Sequence, residues 1–373
     1  MIGWIALNMV PGVGPRAATK LLERFGSADA VFHARRTELE SLRLRPDTIE
    51  SIIKREFHSK AEQELERVKE AGGDVLILDD GSYPDLLREI DDPPPVLYVK
   101  GDWQACFDQP SVGLIGSRTC STYGENASEM LARDLASRGL TVTSGLARGI
   151  DTAAHRGAIR GQGRTIAVMG TGLDNVYPRE NAGLTREILD SGGCLVTQFP
   201  LGTPPLKDNF PYRNRIISGL SHGVLIVEAS ERSGSLITAR LATEQGREVM
   251  AVPGNITSGN SFGTNYLIKS GAKLVQQWQD VVAEFPPDIA ASILPPRVEE
   301  YGRQQPQQPK APADLNEHER QVWSILTPDE ATHIDILLET SGLSFGDLNN
   351  ALVSLDIRDL IRVLPGKNYS RRM

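Results

Sequence analysis

Six short aliphatic runs in the middle of the chain constrain the fold more than any other feature. Each is four or five residues long, and most are separated from the next by a segment of helical length. Fully buried parallel strands have this pattern. Their alternation with helices predicts a doubly wound parallel α/β sheet, which binds ligands at the carboxyl ends of its strands. The runs are residues 112–115, 140–143, 165–169, 194–197, 223–227 and 248–252.

The N-terminal part of the chain has a different pattern. Residues 1–70 show apolar side chains at helical spacing, which predicts an all-helical domain. The turn at residues 10–14 has the alternating apolar–glycine character of a helix-hairpin-helix or SAM-like unit, whose amides commonly face a DNA phosphate. A simple αα-hairpin is an equally good interpretation of this turn. Residues 71–285 then form the sheet domain, with two further strand-like runs at 75–78 and 96–99.

The C-terminal part predicts a linker and a small domain. Residues 286–314 are rich in proline and glutamine without an apolar period, which predicts a flexible, partly extended linker. Residues 315–373 predict three helices and a β-hairpin, an order typical of a winged helix. The third helix and the turn after it carry Asp347, Asp356 and Asp359, which are unfavourable beside DNA phosphates. We therefore expect this domain to bind another protein or to have a regulatory role, more than to bind DNA tightly.

The formal net charge of −8 would usually argue against a nucleic-acid partner, but the charge is uneven. Residues 1–105 carry 14 basic and 19 acidic groups, residues 106–285 carry 17 and 16, and residues 286–373 carry 9 and 13. The flanking regions therefore hold net charges of −5 and −4, whereas the middle region holds +1. This distribution suggests a small cationic groove framed by acidic domains.

Cysteine usage and hydropathy indicate the compartment. Cys106, Cys120 and Cys194 lie far apart and form no Cys-x-x-Cys pair, which is typical of a reducing cytoplasm. No apolar run reaches the roughly 18 residues of a membrane-spanning helix. The first ten residues lack the pattern of a secretory signal. We therefore expect a cytoplasmic protein with no membrane partner.

Glycine-rich turns follow several of the predicted strands. Of 35 glycines, 23 lie in residues 111–271, where they permit tight turns and close approach of backbone to a ligand. Amides in such turns and at helix starts bind phosphate, and a helix start is expected near Ser121. The alternative is that these are ordinary strand–helix turns, in which Arg118 forms a surface ion pair and Ser233 only caps a helix. The candidate residues in these turns are Gly116, Ser117, Arg118, Ser144, Gly145, Gly170, Ser233 and Gly234.

Residues 207–215 combine three cations with two aromatic side chains. Cations neutralise phosphates, and aromatic rings stack on bases without demanding a sequence, which suits single-stranded nucleic acid. The alternative places Phe210 and Tyr212 in the core and leaves the cations in solvent. The candidate residues of this segment are Lys207, Phe210, Arg213, Asn214 and Arg215.

Motifs for catalysis and for cofactors are sparse. The six histidines have no metal-ligand spacing, and the chain contains no G-x-x-x-x-G-K-[ST] loop and no G-x-S-x-G elbow. Residues 113–118 do not form the G-x-G-x-x-G of a dinucleotide site. Asp151 and His155 share one face of a predicted helix, and such a lone pair is more often structural than catalytic. The sequence therefore predicts no metal site and no cofactor.

The order of motifs between residues 116 and 273 closely resembles the DNA-processing protein A family, DprA, also called Smf. The flanking helical domain and winged helix resemble longer members of this family. Gln198 departs from the resemblance, since an acidic residue is usual there. The motifs that carry it include Gly116-Ser117-Arg118, Ser144-Gly145-x-Ala147-x-Gly149-Ile150-Asp151, Phe210-Pro211-x-Arg213-Asn214-Arg215, Val227-Glu228-Ala229, Ser233-Gly234-Ser235 and Ala251-Val252-Pro253-Gly254.

The resemblance implies a DNA-binding recombination mediator with a Rossmann-like domain, and not an enzyme. Members of the family bind single-stranded DNA, protect incoming strands, load the recombinase RecA onto them during natural transformation, and form homodimers through the Rossmann-like domain. Carried over residue by residue, the resemblance implies DNA contacts from Arg118, Lys207, Phe210, Arg213 and Arg215, on a rim that includes Ser117, Gly145, Gly170 and Gly234.

Two competing hypotheses come from other classes of protein. The first is a Rossmann-type nucleotide phosphoribohydrolase-like enzyme, because Ser233-Gly234-Ser235 faintly resembles the glycine-rich P-G-G-x-G-T loop of those enzymes. The Gly-Gly pair that this loop requires is missing, however. The second is a scaffold without DNA contact, which leaves the cations and aromatic residues of 207–215 unexplained.

Overall fold

A nine-stranded sheet forms the centre of the computed structural model, which describes residues 1–294, 312 and 314–372. The strands are β1 (Gly73–Ile77), β2 (Val96–Gly101), β3 (Ser111–Ile115), β4 (Thr141–Ser144), β5 (Thr165–Val168), β6 (Cys194–Thr197), β7 (Gly223–Ile226), β8 (Glu248–Ala251) and β9 (Lys273–Leu274). Their spatial order is β1-β2-β6-β5-β4-β3-β7-β8-β9. Strands β3 to β9 are parallel, and β2 pairs antiparallel with β1 and β6. The predicted doubly wound sheet is confirmed, with an antiparallel edge.

The direction in which the chain crosses the sheet reverses at β3. The chain adds β4, β5 and β6 on one side of β3 and then crosses to the other side for β7, β8 and β9. The carboxyl ends of β3 and β7 therefore flank a topological switch point, where open α/β sheets bind ligands. Residues 116–118 and 228–235 leave the sheet at this point.

Six helices precede the sheet and share a hydrophobic core with it. They are α1 (Ile2–Met9), α2 (Pro15–Phe25), α3 (Ala28–Val31), α4 (Arg36–Ser41), α5 (Pro46–Ile53) and α6 (His58–Glu70). The glycine turn joins α1 to α2: Gly12 has a φ of +86°, and Pro15 begins α2 where its missing N–H costs no helical bond. Leu7 packs in one cluster with Tyr98 and Met169 of the sheet domain. The N-terminal helices are therefore anchored to one face of the sheet.

Helices cover both faces of the sheet, as crossover connections between parallel strands require. They are α7 (Asp85–Arg88), α8 (Trp103–Phe107), α9 (Thr122–Ala136), α10 (Ile150–Arg160), α11 (Ala182–Asp190), α12 (Asn209–Gly219), α13 (Gly234–Glu244), α14 (Phe262–Lys269), α15 (Trp278–Val282) and α16 (Pro287–Ile293). Leu131 of α9 and Ala154 of α10 belong to the core on one face, and Ile216 of α12 and Ala239 of α13 to the core on the other. The turns that carry the predicted site residues thus connect well-packed elements.

Helix α16 corrects the predicted start of the linker. Residues 287–293 were expected to be extended, but Ile289 and Ile293 pack against the core that contains Trp278. The short segment is helical because it begins with a proline at position N1 and can bury one apolar side. The rest of the predicted linker lies outside the described residues, apart from 286, 294, 312 and 314.

The C-terminal residues form the predicted winged helix. Its elements are α17 (Glu317–Ile325), β10 (Thr332–His333), α18 (Ile334–Ser341), α19 (Phe345–Ile357), β11 (Ile361–Leu364) and β12 (Asn368–Arg371). The strands form a small sheet in the order β10-β12-β11. Leu337, Leu348 and Leu355 pack together in its core.

The wing rests on the outer side of α9. Arg362 is only 9% exposed, and its guanidinium pairs with Glu125 at 2.8 Å and with Glu129 at 2.9 Å. The Asn126 side-chain amide donates to the carbonyl oxygen of Pro328 at 2.6 Å. A basic side chain of the wing is therefore engaged by carboxylates of the sheet domain.

Candidate nucleic-acid interface

A pocket of about 340 Å³ opens at the switch point of the sheet. It combines the turns after β3, β4 and β7 with the first part of α12. Eight of the predicted site residues line it, namely Gly116, Ser117, Arg118, Phe210, Arg213, Asn214, Ser233 and Gly234. Three of the turns that the sequence predicted to share a rim, those after β3, β4 and β7, therefore lie around one cavity, and the turn after β5 does not line it.

The turn after β3 presents Arg118 at this pocket. A Cβ atom on Gly116 would lie 2.6 Å from Ile150 Cγ1 and 2.9 Å from the carbonyl oxygen of Glu228, so the turn requires glycine. The amide of Ser117 donates to the same carbonyl oxygen at 2.8 Å. Because Ser117 is buried and Arg118 is exposed, the guanidinium extends from a turn that is fixed at its base.

The helix start beside this turn is already occupied by a carboxylate. Glu228 is 2% exposed, its Oε2 accepts a hydrogen bond from the Ser121 amide at 2.9 Å, and its Oε1 accepts one from the Ser121 hydroxyl. A carboxylate near a helix N-terminus is favourable for the same reason that a phosphate is. The phosphate site predicted at the start of α9 is therefore filled by the chain itself.

Phe210 forms an aromatic wall of the pocket. The centroid of its ring lies 5.6 Å from the guanidinium carbon of Arg118 and 5.4 Å from the centroid of the Tyr177 ring. A cation within about 6 Å of a ring is attracted by the ring quadrupole. Behind the ring, a Cβ atom on Gly170 would lie 2.8 Å from Phe210 Cδ1. The half-buried ring is thus held between the Arg118 guanidinium, the Tyr177 ring and the backbone of Gly170.

The close approach of Gly170 gives a first testable prediction. Gly170→Ala should displace the Phe210 ring and weaken single-stranded DNA binding by roughly tenfold. This loss corresponds to a part of the ~1–3 kcal/mol that stacking on an aromatic ring contributes per base. The matched control is Gly183→Ala in α11, where a Cβ atom would meet nothing within 4 Å. Fluorescence anisotropy with a labelled oligonucleotide measures both. If Gly170→Ala weakened binding equally in a Phe210→Ala background, the effect would not pass through the ring.

Arg213 and Asp151 lie at the base of the pocket. Arg213 is 3% exposed, and its Nη1 donates to the carbonyl oxygens of Gly145 (2.7 Å) and Val168. Asp151 Oδ2 accepts hydrogen bonds from the amides of Gly145 (3.1 Å) and Ala147 (3.3 Å). Burial lowers the pKa of Arg213 to about 10 and raises the pKa of Asp151, a rise that the Arg213 charge opposes. The buried pair fixes the turn after β4.

Arg215 does not line this pocket. It lies two residues after Arg213 on α12, and side chains two residues apart on an α-helix point about 200° away from each other. Arg215 is 3% exposed and lines a second groove next to α2. The helix therefore separates two cations that the sequence placed in one cluster.

The remaining predicted residues do not line the pocket. Ser144 is fully buried, and its hydroxyl donates to the carbonyl oxygen of Leu114 at 2.6 Å. Gly145 and Gly170 supply backbone contacts to Arg213 and Asn209, respectively. Lys207 is exposed in the segment before α12.

The start of α13 adds hydroxyl groups that the sequence analysis did not select. Ser233 caps the helix as predicted, with its Oγ accepting from the Ser235 amide at 3.4 Å. The pocket is also lined by Ser230, Ser235 and Thr238. The sequence could have indicated Ser235 and Thr238, because both lie within the first turns of a helix whose N-cap residue was already a candidate. Asp151, assigned a structural role, also lines the pocket.

His155 has the structural role that the sequence analysis favoured. It is fully buried beneath the sheet-facing side of α10, with Nδ1 lying 2.7 Å from Thr165 Oγ1. The Thr165 hydroxyl donates to the carbonyl oxygen of Val142, so it accepts from the imidazole. Burial lowers the pKa of His155 to about 3, which keeps the imidazole neutral near pH 7.

Within residues 1–294, 312 and 314–372, no cluster of three or more histidine, cysteine, aspartate or glutamate residues is arranged to hold a metal ion. None of the helices in these ranges combines the length and the hydropathy of a membrane span.

The fold and the pocket together define a class of protein: a Rossmann-like α/β domain with a cationic, aromatic pocket at its switch point, between an N-terminal helical domain and a winged helix. The family model described as "DNA recombination-mediator protein A" matches residues 74–286, and that described as "DprA winged helix domain" matches residues 306–367. The chain belongs to the DNA recombination-mediator protein A family, DprA/Smf.

Individual relatives agree with this assignment. Protein Smf of Escherichia coli (strain K12) is 41% identical over 292 residues, which cover 78% of this chain and 76% of the relative. The X-ray structure of DNA processing protein A from Streptococcus pneumoniae is 37% identical, with a TM-score of 0.66, over 76% of this chain and 96% of that one. The structure of the Helicobacter pylori protein, described by its single-stranded DNA binding mode, is 30% identical, with a TM-score of 0.52, over 57% of this chain and 97% of that one.

Proposed function

We propose that this chain is a single-stranded-DNA-binding recombination mediator of the cytoplasm, which protects incoming DNA and loads the recombinase RecA onto it during natural transformation. The observation that carries the proposal is the placement of an exposed guanidinium, Arg118, beside the Phe210 ring in a pocket at the switch point of the sheet. A cation for a phosphate and a ring for a base are the two elements of sequence-tolerant single-strand binding.

In this proposal, one base of the strand stacks on Phe210 while neighbouring phosphates meet Arg118, Lys207 and the start of α13. Duplex DNA keeps its bases stacked inside the helix, so it offers no base face to the ring and should bind more weakly. Phosphate contacts release counterions, so affinity should fall with salt. Arg213 acts mainly by fixing the wall of this pocket, since it is 3% exposed, whereas Arg215 lies outside the pocket.

The pocket also supports the proposal that the chain is not an enzyme of the phosphoribohydrolase kind. Asp151 is the only carboxylate among its lining residues within the described part of the chain. That carboxylate accepts two backbone hydrogen bonds and lies next to Arg213. It therefore holds a turn in place and is not positioned as a free general acid or base.

We further propose that two copies associate through the β9 edge of the Rossmann-like domain. Phe262 is 54% exposed and Tyr266 is 59% exposed, one turn apart on α14, and Leu274 is 39% exposed on the edge strand β9. Exposed apolar side chains that cluster on a surface mark association sites.

This dimer proposal predicts that Phe262→Glu with Tyr266→Glu gives a monomer in light scattering coupled to gel filtration, because two charges would be buried at the interface. The control is Phe345→Glu on α19, an equally exposed aromatic residue far along the chain, at 61% exposure. A wild-type protein that is monomeric at all tested concentrations would contradict the proposal, and so would a double variant that remains dimeric.

The winged helix is predicted to contribute little to single-strand affinity. Removing residues 316–373 should change the affinity by less than roughly tenfold, because Arg362 already pairs with Glu125 and Glu129. Anisotropy with full-length and shortened protein measures this. A loss of affinity of tenfold or more would show that the winged helix itself binds DNA.

The loading step is tested by RecA assembly on single-stranded DNA, followed through the lag before RecA hydrolyses ATP. Wild-type protein should shorten the lag, and Arg118→Ala should not, because it no longer holds the strand. A lag unaffected by wild-type protein that demonstrably binds the strand would overturn RecA loading while leaving single-strand binding intact.

A further inference from the structure

A second groove, of about 490 Å³, lies between the N-terminal helices and α12. It is bordered on one side by the start of α2 and on the other by Pro211, Tyr212 and Arg215. Pro211 also lines the first pocket, so the two cavities are neighbours on either side of the start of α12. A strand that leaves the first pocket over Pro211 would enter this groove.

Arg215 supplies a buried charge at this groove that is not fully compensated. It is 3% exposed, and its Nη2 donates to the neutral side chain of Gln198. Its Nε and Nη1 are buried without a hydrogen-bond partner among the described residues. An oxygen of the Asp92 carboxylate lies 3.8 Å from Nε, which is too long for a hydrogen bond. Buried guanidinium nitrogens without partners are costly, so a further acceptor is favoured there.

The start of α2 faces the same groove and is also uncompensated. Gly14 precedes the helix and has no side chain to cap it, and no side-chain cap is present within the described residues. Pro15 at position N1 has no N–H, which leaves the amides of Arg16 and Ala17 at positions N2 and N3. The exposed side chain of Arg16 lines the groove. Burial raises the pKa of Tyr212, and the charges of Arg215 and, more weakly, of Arg16 oppose that rise.

The aromatic ring at this groove matches the arrangement in the first pocket. The guanidinium carbon of Arg215 lies 4.7 Å from the centroid of the Tyr212 ring, and Tyr212 is 38% exposed. Among the described residues that line the groove, two guanidinium groups and a helix start therefore oppose one carboxylate, Asp92, so the groove favours an anion.

We propose that this groove is a second phosphate site, which holds a backbone phosphate of the single strand beyond the nucleotide in the first pocket. The proposal rests on the proposed single-strand binding and extends it from one pocket to two. It assigns the glycine turn of the N-terminal domain, residues 10–14, a role in DNA binding through the start of α2.

The test compares a long and a short oligonucleotide on the full-length protein. One of about 20 nucleotides spans both sites, and one of about 4 nucleotides fills only the first, given site sizes of roughly 4–16 nucleotides in single-strand binders. Arg16→Ala should weaken the long oligonucleotide about tenfold and reduce its salt slope by about 0.7, the value for one lost phosphate contact. The short oligonucleotide should bind Arg16→Ala as it binds wild type.

Arg24→Ala is the matched control, because Arg24 is an exposed arginine in the last turn of the same helix. It should leave both affinities unchanged. If Arg16→Ala bound the long oligonucleotide as wild type does, or weakened both oligonucleotides equally, the second site would be overturned. Arg118→Ala separates this from the proposed function: it should weaken both oligonucleotides, and a failure of that result would overturn single-strand binding at the first pocket itself.

Discussion

Replacing Arg118 by alanine is expected to weaken single-stranded DNA binding by roughly 10- to 150-fold, the equivalent of about 1.5–3 kcal/mol for a hydrogen bond to a charged group. Arg118 is exposed on a turn fixed by Gly116 and Ser117, so the substitution removes the charge without disturbing the core. Anisotropy over a series of salt concentrations measures the loss. The dependence of affinity on salt should flatten by about 0.7 in slope, because one phosphate contact is lost.

Two controls make this result specific. Arg118→Lys keeps the charge but loses the planar fork, so it should retain most of the salt slope with intermediate affinity. Arg186→Ala removes an exposed arginine from α11, outside both grooves, and should change neither quantity. Equal losses for Arg118→Ala and Arg186→Ala would mean that only net charge matters, and the pocket would have no special role.

Phe210→Ala is expected to lower single-strand affinity by about 1–3 kcal/mol, which is the contribution of stacking for one base. The ring carries no charge, so the salt slope should stay at the wild-type value while the affinity falls. This combination separates a stacking residue from a phosphate ligand. The same anisotropy titrations that serve for Arg118 provide the measurement.

Two control variants make the result for Phe210→Ala specific. Phe210→Trp should retain binding, since it keeps an aromatic face between Arg118 and Tyr177. Phe345→Ala, which removes a more exposed ring from the winged helix, should have no effect on affinity. A Phe210→Ala protein that binds single strands as tightly as wild type would exclude base stacking at this pocket.

The sheet could be predicted from sequence because its strands are fully buried. Runs such as residues 112–115 and 223–227 must be apolar throughout to pack between two layers of helices, so they stand out from the polar turns between them. The short helix α16 could not be predicted in this way. Its few apolar residues, among them Ile289 and Ile293, are too short a pattern to be distinguished from a proline-rich linker.

The site was only partly predictable, for two physical reasons. The first is helical geometry: Arg213 and Arg215 are neighbours in sequence, yet α12 directs one to the pocket and the other to the second groove. The second is competition within the chain. The start of α9 has the character of a phosphate site, but the carboxylate of Glu228, more than 100 residues away in sequence, occupies it. Long-range partners of this kind are visible only in the folded chain.

Mapping the contact of a bound strand tests the central claim most directly. A single-stranded oligonucleotide containing 5-iododeoxyuridine cross-links on irradiation to aromatic side chains stacked on the modified base, and mass spectrometry identifies the linked peptide. If the strand binds in the pocket at the switch point, the full-length protein should be cross-linked mainly at Phe210, and Arg118→Ala should greatly reduce the yield of cross-linked protein. Efficient cross-links confined to the winged helix, with none in residues 207–215, would contradict the account.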